Sequence, residues 1–129
     1  MSLVDSGAKL LTDRLNNIGV PLDNVNSYIG VGDSNTGEDV GHTNLQGTSK
    51  SFMGMMANFP EHTSGSNVMT FRSLFGVDDA NFTWNEWAIF NDNKGTNSSA
   101  FMLNRKVEDN GRKVQGQTWE FTVTISIIT

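Results

Sequence analysis

The sequence predicts an all-β protein, either an antiparallel β-sandwich or a jelly-roll-like domain, with one short N-terminal helix. Apolar and polar residues alternate in several short segments after Pro21, and turn residues separate these segments. Only one segment, near the N-terminus, has helical spacing. The 13 glycines and the many Asn, Ser and Thr residues suit a chain with frequent turns.

The 129 residues are expected to form a single β-sandwich domain. A chain of this length buries roughly two thirds of its unfolded surface, which is enough for one core. Within it, residues 1–20 are predicted to form the helix or arm and residues 27–129 the β region.

The predicted helix runs from Ser6, a candidate N-cap, to Ile18, and Gly19 follows as a stop signal. The apolar residues at i, i+4 and i+7 are Leu11, Leu15 and Ile18. We interpret the segment as a short helix packed on one side of a sheet. An arm that docks on a neighbouring subunit is the alternative.

Three strands are predicted in the first part of the β region, at residues 27–32, 50–59 and 68–75. Pro60 is expected to end the second strand. The third strand alternates, with three large apolar residues on one face: Met69, Phe71 and Phe75.

Two aromatic-rich or apolar segments, Trp84–Asn91 and Ala100–Val107, flank a polar loop and predict a β-hairpin. Asp109–Gly111 contains an Asn-Gly pair that suits a further tight hairpin turn. The last predicted strand, Gln117–Ile127, alternates strictly and would span about 35 Å at roughly 3.3 Å per residue. Such a long strand must pair along its length, within the subunit or with a neighbour.

The apolar residues of the hairpin and the last strand form the predicted core: Trp84, Trp87, Phe90, Trp119, Phe121, Val123 and Ile125. The methionines of the second strand suggest core packing, with an adaptable contact surface as the alternative. The candidate interface residues are Leu11, Leu15, Met53, Met55 and Met56.

The net charge of −5 argues against a surface that binds nucleic acid. The adjacent basic pairs Arg105-Lys106 and Arg112-Lys113 are interpreted as solvated hairpin positions. The chain has no cysteine, which excludes disulfides and thiolate sites. No segment resembles a signal peptide or a membrane helix, so no membrane partner is expected.

The sequence predicts no catalytic, metal or cofactor site. His42 and His62 lie in predicted loops, twenty residues apart and without metal-type partners nearby. The acidic loop 33–39 could supply oxygen ligands to calcium, but its spacing does not match an EF-hand, and a plain surface loop is preferred.

Glu86 is the most unusual charged residue, since it lies between Trp84 and Trp87 on a predicted strand and could share the face of Trp84. A buried carboxylate needs a partner, and the candidates on neighbouring strands are Arg72 and Arg105. We prefer a structural ion pair, with a catalytic acid as the alternative. A glycosidase would need a second carboxylate, which is not identifiable.

The hairpin sequence Trp-Asn-Glu-Trp-Ala-Ile-Phe-Asn over 84–91, with Met-Leu-Asn-Arg over 102–105, resembles a hairpin of small virion structural proteins of tailed bacteriophages. The resemblance covers about three quarters of the chain. Its other motifs include Tyr-Ile-Gly-Val-Gly-Asp over 28–33 and Thr-Phe-Arg-Ser over 70–73.

The resemblance is greatest to capsid decoration, or cement, proteins. It implies a non-enzymatic protein that binds the outside of an icosahedral head and stabilises it. The implied partners are the major capsid protein and further copies of the same chain, as a homotrimer. The implied location is the outer surface of the virion, after synthesis in the host cytoplasm. A related hairpin occurs in tail-collar and fibre proteins, so a tail or host-attachment protein is the alternative.

Overall fold

The computed structural model describes residues 2–127 and confirms an all-β sandwich with one short N-terminal helix. One sheet has five strands in the order β1-β6-β5-β2-β3, and the other pairs β4 with β7. All pairings are antiparallel. The elements are β1 (Ser2–Leu3), α1 (Asp5–Leu15), β2 (Tyr28–Gly32), β3 (Lys50–Gly54), β4 (Val68–Phe75), β5 (Glu86–Phe90), β6 (Asn104–Val107) and β7 (Trp119–Ser126).

Helix α1 starts earlier and ends earlier than predicted. Ser6 is not its N-cap: the cap position is Val4, and the Ser6 hydroxyl donates to the carbonyl oxygen of Met102 at 2.7 Å. The buried residues of the helix are Gly7 and Leu10. The predicted apolar stripe is therefore wrong in part, since Leu15 is 88% exposed.

The position of Gly7 explains which face of α1 is buried. A Cβ atom at this residue would overlap the carbonyl group of Leu103, so the helix backbone rests directly on the chain just before β6. Only glycine permits that approach. The contact turns Leu10 into the core and leaves Leu11 partly buried, while Leu15 points to solvent.

Strand β3 ends at Gly54, five residues before the predicted end, because the chain then crosses to the other sheet. The Met56 amide donates to the Arg72 carbonyl of β4 at 2.9 Å. The Ser73 hydroxyl donates to the Met53 carbonyl at 3.2 Å. Strand β4 has the predicted bounds.

The hairpin of β5 and β6 contains a β-bulge. Glu86 pairs with Val107, whereas Phe90 pairs with Met102, so the second arm holds one residue more than the first between these points. At the bulge the Asn104 side-chain oxygen, instead of a backbone carbonyl, accepts the Ile89 amide hydrogen at 3.0 Å.

The predicted hairpin turn at Asp109–Gly111 is wrong as a connection between paired strands, because β6 and β7 lie in different sheets. Gly111 has the expected positive φ of 87°. Its segment pairs instead with the residue ahead of β5: the Trp84 amide donates to the Gly111 carbonyl, and the Asn110 amide donates to the Trp84 carbonyl, both at 2.8 Å.

Strand β7 pairs with β4 over its whole length, in one register from Trp119–Phe75 to Ser126–Val68. It is shorter than the predicted strand, and Ile127 lies beyond it, 56% exposed. Val123 and Ile125 are buried, whereas Trp119 and Phe121 are only partly buried.

Trp84 is at the centre of the main core, between the two sheets. Its ring makes edge-to-face contacts with Phe75, Trp119 and Phe121, at centroid distances of 4.7, 4.9 and 5.4 Å. Trp87 lies in the same core. The candidate interface residues Met53 and Met55 pack against it, and Met56 is partly buried.

A second apolar cluster lies apart from this core and contains Val4, Leu45, Ala88, Phe90 and Met102. Residues of β5 thus contribute to both clusters, and all five of them are buried. This explains why the segment reads as a continuous apolar run and does not alternate. The predicted core residue Phe90 belongs to the second cluster.

We expect Trp84→Ala to lower the free energy of unfolding by about 3–5 kcal/mol, because it leaves a large cavity in the main core. Trp119→Ala should cost less, since its side chain is only partly buried. Urea unfolding of both variants measures the difference, with Leu74→Ala on the exposed face of β4 as control. Equal losses for the two tryptophans would contradict this account of the core.

Candidate functional site: a buried ion pair beneath one loop

Glu86 and Arg105 form a buried ion pair on the face of the five-stranded sheet that carries the second cluster. The Arg105 Nε lies 2.9 Å from the Glu86 Oε1, and both side chains are completely buried. Glu86 opens β5, and Arg105 follows the bulge in β6. Trp84 packs in the main core, so the expectation that Glu86 shares its face is wrong.

The Glu86 carboxylate accepts four hydrogen bonds, two on each oxygen. Oε1 accepts from Arg105 Nε and from the Gln46 amide, the latter at 2.8 Å. Oε2 accepts from the Gly47 amide at 2.8 Å and the Ser34 amide at 3.2 Å. Both ends of the single loop that joins β2 to β3, residues 33–49, are therefore held by one carboxylate.

Arg105 holds the first part of this loop from the other side. Its Nη1 donates to the Thr36 carbonyl at 2.9 Å and also lies 3.4 Å from the Gly37 carbonyl. Nη2 has no hydrogen-bond partner among the described residues. Charge and hydrogen bonds together offset the cost of burying both groups.

The space for the carboxylate depends on Gly32, the last residue of β2. This residue pairs with Glu86 across the sheet. A Cβ atom at Gly32 would collide with Glu86 Oε2. Gly32 thus makes room for a side chain of the protein itself.

The surroundings of Glu86 fit a structural ion pair. Both carboxylate oxygens are occupied by donors of the chain, and neither described cavity is lined by Glu86 or Arg105. A catalytic acid needs contact with a substrate. Both oxygens of Glu86 are instead bound by groups of the chain.

Arg72 is not the partner of Glu86, which corrects one of the two sequence candidates. Its Nε donates to the Thr122 hydroxyl at 2.8 Å, and its guanidinium carbon lies 4.7 Å from the centroid of the Phe59 ring. Arg72 therefore stabilises the β4–β7 pair and the crossing from β3, at a partly exposed position.

Lys113 is a second buried cation, and the interpretation of Arg112-Lys113 as a solvated pair is wrong for it. Its ammonium group donates to the Gly76 carbonyl and to the Asn81 side-chain oxygen, both at 2.7 Å. Arg105 of the other basic pair is buried as well. Nothing in the local sequence distinguishes Lys113 from the less buried Lys106, because its acceptors are more than thirty residues away in the chain.

The residues that could have indicated a metal site do not converge. The described part of the chain has no group of three or more His, Cys, Asp or Glu side chains that could hold an ion. His62 is exposed and lies 2.8 Å from the Ser66 carbonyl through Nε2. In the acidic loop, Asp39 accepts the Gly41 amide hydrogen at 2.7 Å.

An apolar cavity of about 420 Å³ lies at one end of the sandwich. Leu11, a candidate interface residue, is on its wall, and His62, Ser66, Asn67 and Ser126 supply its polar edge. The apolar lining is Leu3, Leu11, Leu22, Val68, Met69, Phe71, Leu103, Ile125 and Ile127. The cavity adjoins the end of β7 and carries no charged group that would orient a substrate.

The tip of the β5–β6 hairpin is held by its own side chains. Asp92 accepts hydrogen bonds from the Asn97 side chain at 2.9 Å and from the Asn93 amide at 2.7 Å, and these bonds lower the pKa of the Asp92 carboxyl. Lys94 donates to the carbonyls of Ser98 and Ala100, and partial burial lowers the pKa of its ammonium group.

We expect Glu86→Gln to lower the free energy of unfolding by about 3–5 kcal/mol, because it leaves the Arg105 charge buried and unpaired. The new side-chain NH2 group would also face backbone N–H donors of the loop, so some of these N–H groups would lose their acceptor. Urea unfolding measures the loss. Glu120→Gln makes the same change on an exposed residue and should stay within about 0.5 kcal/mol of wild type. A Glu86→Gln variant as stable as Glu120→Gln would refute the role of the pair.

The Asp92 carboxylate should titrate with a midpoint below its usual value of 3.8, because the folded tip stabilises the ionised form. The stabilisation is present above the unfolded pKa and is lost as the pH falls through the folded one. An NMR titration of the Asn97 side-chain amide measures the midpoint. The Asp92→Asn variant should show no such transition, and a wild-type midpoint at or above 3.8 would contradict the hydrogen-bonded tip.

Comparisons with known proteins do not assign the chain to a family. No family model, curated protein or solved structure matches the sequence or the fold. None of the described helices has the length and apolar character needed to cross a membrane. The buried ion pair, the loop bound to it and the exposed apolar residues are therefore the features that bear on function.

Proposed function

We propose that the chain is a non-enzymatic structural protein of a tailed-phage virion. In this proposal it is a capsid decoration protein that binds the outer surface of the icosahedral head and stabilises it. The observation that carries the proposal is that the residues of the resembling hairpin build a rigid scaffold. Glu86 and Arg105 form the ion pair, and Asn104 forms the bulge beside it. A motif that fixes the shape of the chain in this way suits a protein that acts by binding and fit.

A binding surface for the capsid is supported by the segment that follows α1. Between residues 15 and 25 the chain exposes four large apolar side chains: Leu15, Ile18, Val20 and Val25. Leu15 and Val25 are 88% and 80% exposed, which costs free energy unless a partner covers them. Protein interfaces use apolar anchors of this kind. The proposed partner at this segment is the major capsid protein.

The remaining parts of the proposal follow from the resemblance and the charge. Self-association as a homotrimer and a location on the outer surface of the head are implied by the resemblance. The net charge of −5 disfavours nucleic acid as a partner. The proposal includes no cofactor and no membrane partner.

The number of copies per particle tests the proposal. A head decoration protein should be present in a number comparable to that of the major capsid protein, because an icosahedral lattice repeats its binding site. Quantitative gel densitometry of purified virions measures this ratio. A handful of copies per particle would contradict the head location and favour the alternative, a tail or fibre protein.

The double variant Leu15→Asp, Val25→Asp should stay folded and bind heads assembled without this chain at least about tenfold more weakly, because it places charges in an apolar contact. Co-sedimentation with those heads measures the affinity. Val77→Asp is the matched control, since Val77 is an exposed apolar residue on the loop after β4. Equal binding by the double variant and the control would exclude segment 15–25 as the contact.

A further inference from the structure

The outer edge of β7 is free of partners within the described chain. In an antiparallel ladder, successive residues direct their backbone groups to opposite sides. The bond from the Ile127 amide to the Asn67 carbonyl shows that odd-numbered residues bond toward β4. The N–H and C=O groups of the even-numbered residues therefore point away from β4, and these residues are exposed: Glu120, Thr122, Thr124 and Ser126.

The outer edge of β4 is protected, in contrast. Thr70 exchanges two backbone hydrogen bonds with Glu61, at 2.7 and 2.9 Å, and the Arg72 carbonyl accepts from Met56. Proteins protect free edges with lysines, prolines, bulges or covering segments. β7 has no lysine, proline or bulge, Glu120 is its one charge, and none of the described segments pairs with its outer edge; its eight residues keep a single register against β4. An edge of about 26 Å, at roughly 3.3 Å per residue, is left ready for another strand.

We propose that this edge pairs with the same edge of a second copy of the chain, antiparallel across a twofold axis at Val123. The two β4–β7 pairs then form one four-stranded sheet. Thr122 of each copy lies opposite Thr124 of the other, and Glu120 lies opposite Ser126. Even-numbered residues face even-numbered residues, so the free backbone groups of both edges become hydrogen-bonded.

Charge favours the antiparallel arrangement. Glu120 is the only charged residue of β7, and a parallel pair in register would place two of these carboxylates side by side. The antiparallel pair separates them by six residues, or about 20 Å along the strands. The facing threonines add a favourable cross-strand contact.

The inward side chains are complementary in the same arrangement. The partly buried aromatic residues of β7 are at its start, and Ile125 and the exposed Ile127 are at its end, beside the apolar cavity. Antiparallel pairing puts Phe121 of one copy opposite Ile125 of the other, and Trp119 opposite Ile127. Aromatic residues pair well with β-branched ones across strands. Because the contact is isologous, each of these pairs occurs twice in the dimer.

This inference is independent of the proposed place of the protein in a virion. A twofold contact closes at two copies, so the inference predicts a dimer in place of the homotrimer that the resemblance implies. Sedimentation equilibrium should give twice the mass of 14.1 kDa. Sedimentation equilibrium of two variants at Thr124 tests whether the outer edge of β7 forms the contact.

Thr124→Pro removes an outward N–H without touching the ladder to β4, and should raise the dimer dissociation constant about tenfold or more. Thr124→Ala keeps the N–H and should stay dimeric. Urea unfolding at low concentration checks that both variants are folded. If Thr124→Pro proves unfolded, the disulfide test below decides alone.

Engineered cysteines test the register, and the chain has no native cysteine to interfere. Thr122→Cys mixed with Thr124→Cys should form a disulfide between copies, because directly facing residues have Cα atoms about 5.5 Å apart. Either variant alone brings its two cysteines together only diagonally, beyond that reach, and should crosslink much more slowly. Equal crosslinking in all three samples would overturn the register.

A monomer at all concentrations would overturn the inference, and so would a dimer that both Thr124 variants leave intact. A trimer whose β7 amides exchange hydrogen freely would overturn strand pairing and leave the proposed decoration function standing. A monomer whose β7 edge is occupied only by a head protein would also overturn pairing between copies.

Discussion

The Glu86–Arg105 ion pair is the constraint on which one whole side of the molecule depends. The loop that joins β2 to β3 has no regular secondary structure and contributes Leu45 to the second apolar cluster, and both of its ends are bound through backbone groups to this pair. A short loop cannot satisfy its own amides when it is pressed against a sheet. A carboxylate with four accepted hydrogen bonds solves that problem at one point, and the adjacent guanidinium balances its charge.

Local pattern was sufficient for the class of fold and for most strands, because alternation and turn residues act over a few positions. β4 and β2 are found where their alternation or β-branched content indicates. Prediction failed where a distant contact decides the outcome. The close approach of Gly7 to Leu103 rotates α1 away from the stripe expected from spacing, and the crossing to β4 ends β3 early. Neither partner is close in sequence.

The candidate site was likewise predictable only in part. A carboxylate between two tryptophans is unusual enough to indicate burial, and an arginine on a neighbouring strand is the expected partner. The choice of Arg105 over Arg72 required the bulge, which no local pattern of β6 reveals. The loop amides of Gln46 and Gly47 could not be predicted at all, because they reach Glu86 across about forty residues of chain. Buried Lys113 is a similar case.

Because the second arm of the hairpin contains an extra residue, the hairpin should tolerate changes in length at its tip but not in that arm. Its tip, held by Asp92 and its neighbours, could gain residues without altering the strands beneath. Deleting or inserting a single residue between Met102 and Lys106 would instead swap the sides on which the following side chains emerge. The guanidinium would then leave its carboxylate, and lineages of this fold should vary in the loop while keeping the spacing of that arm fixed.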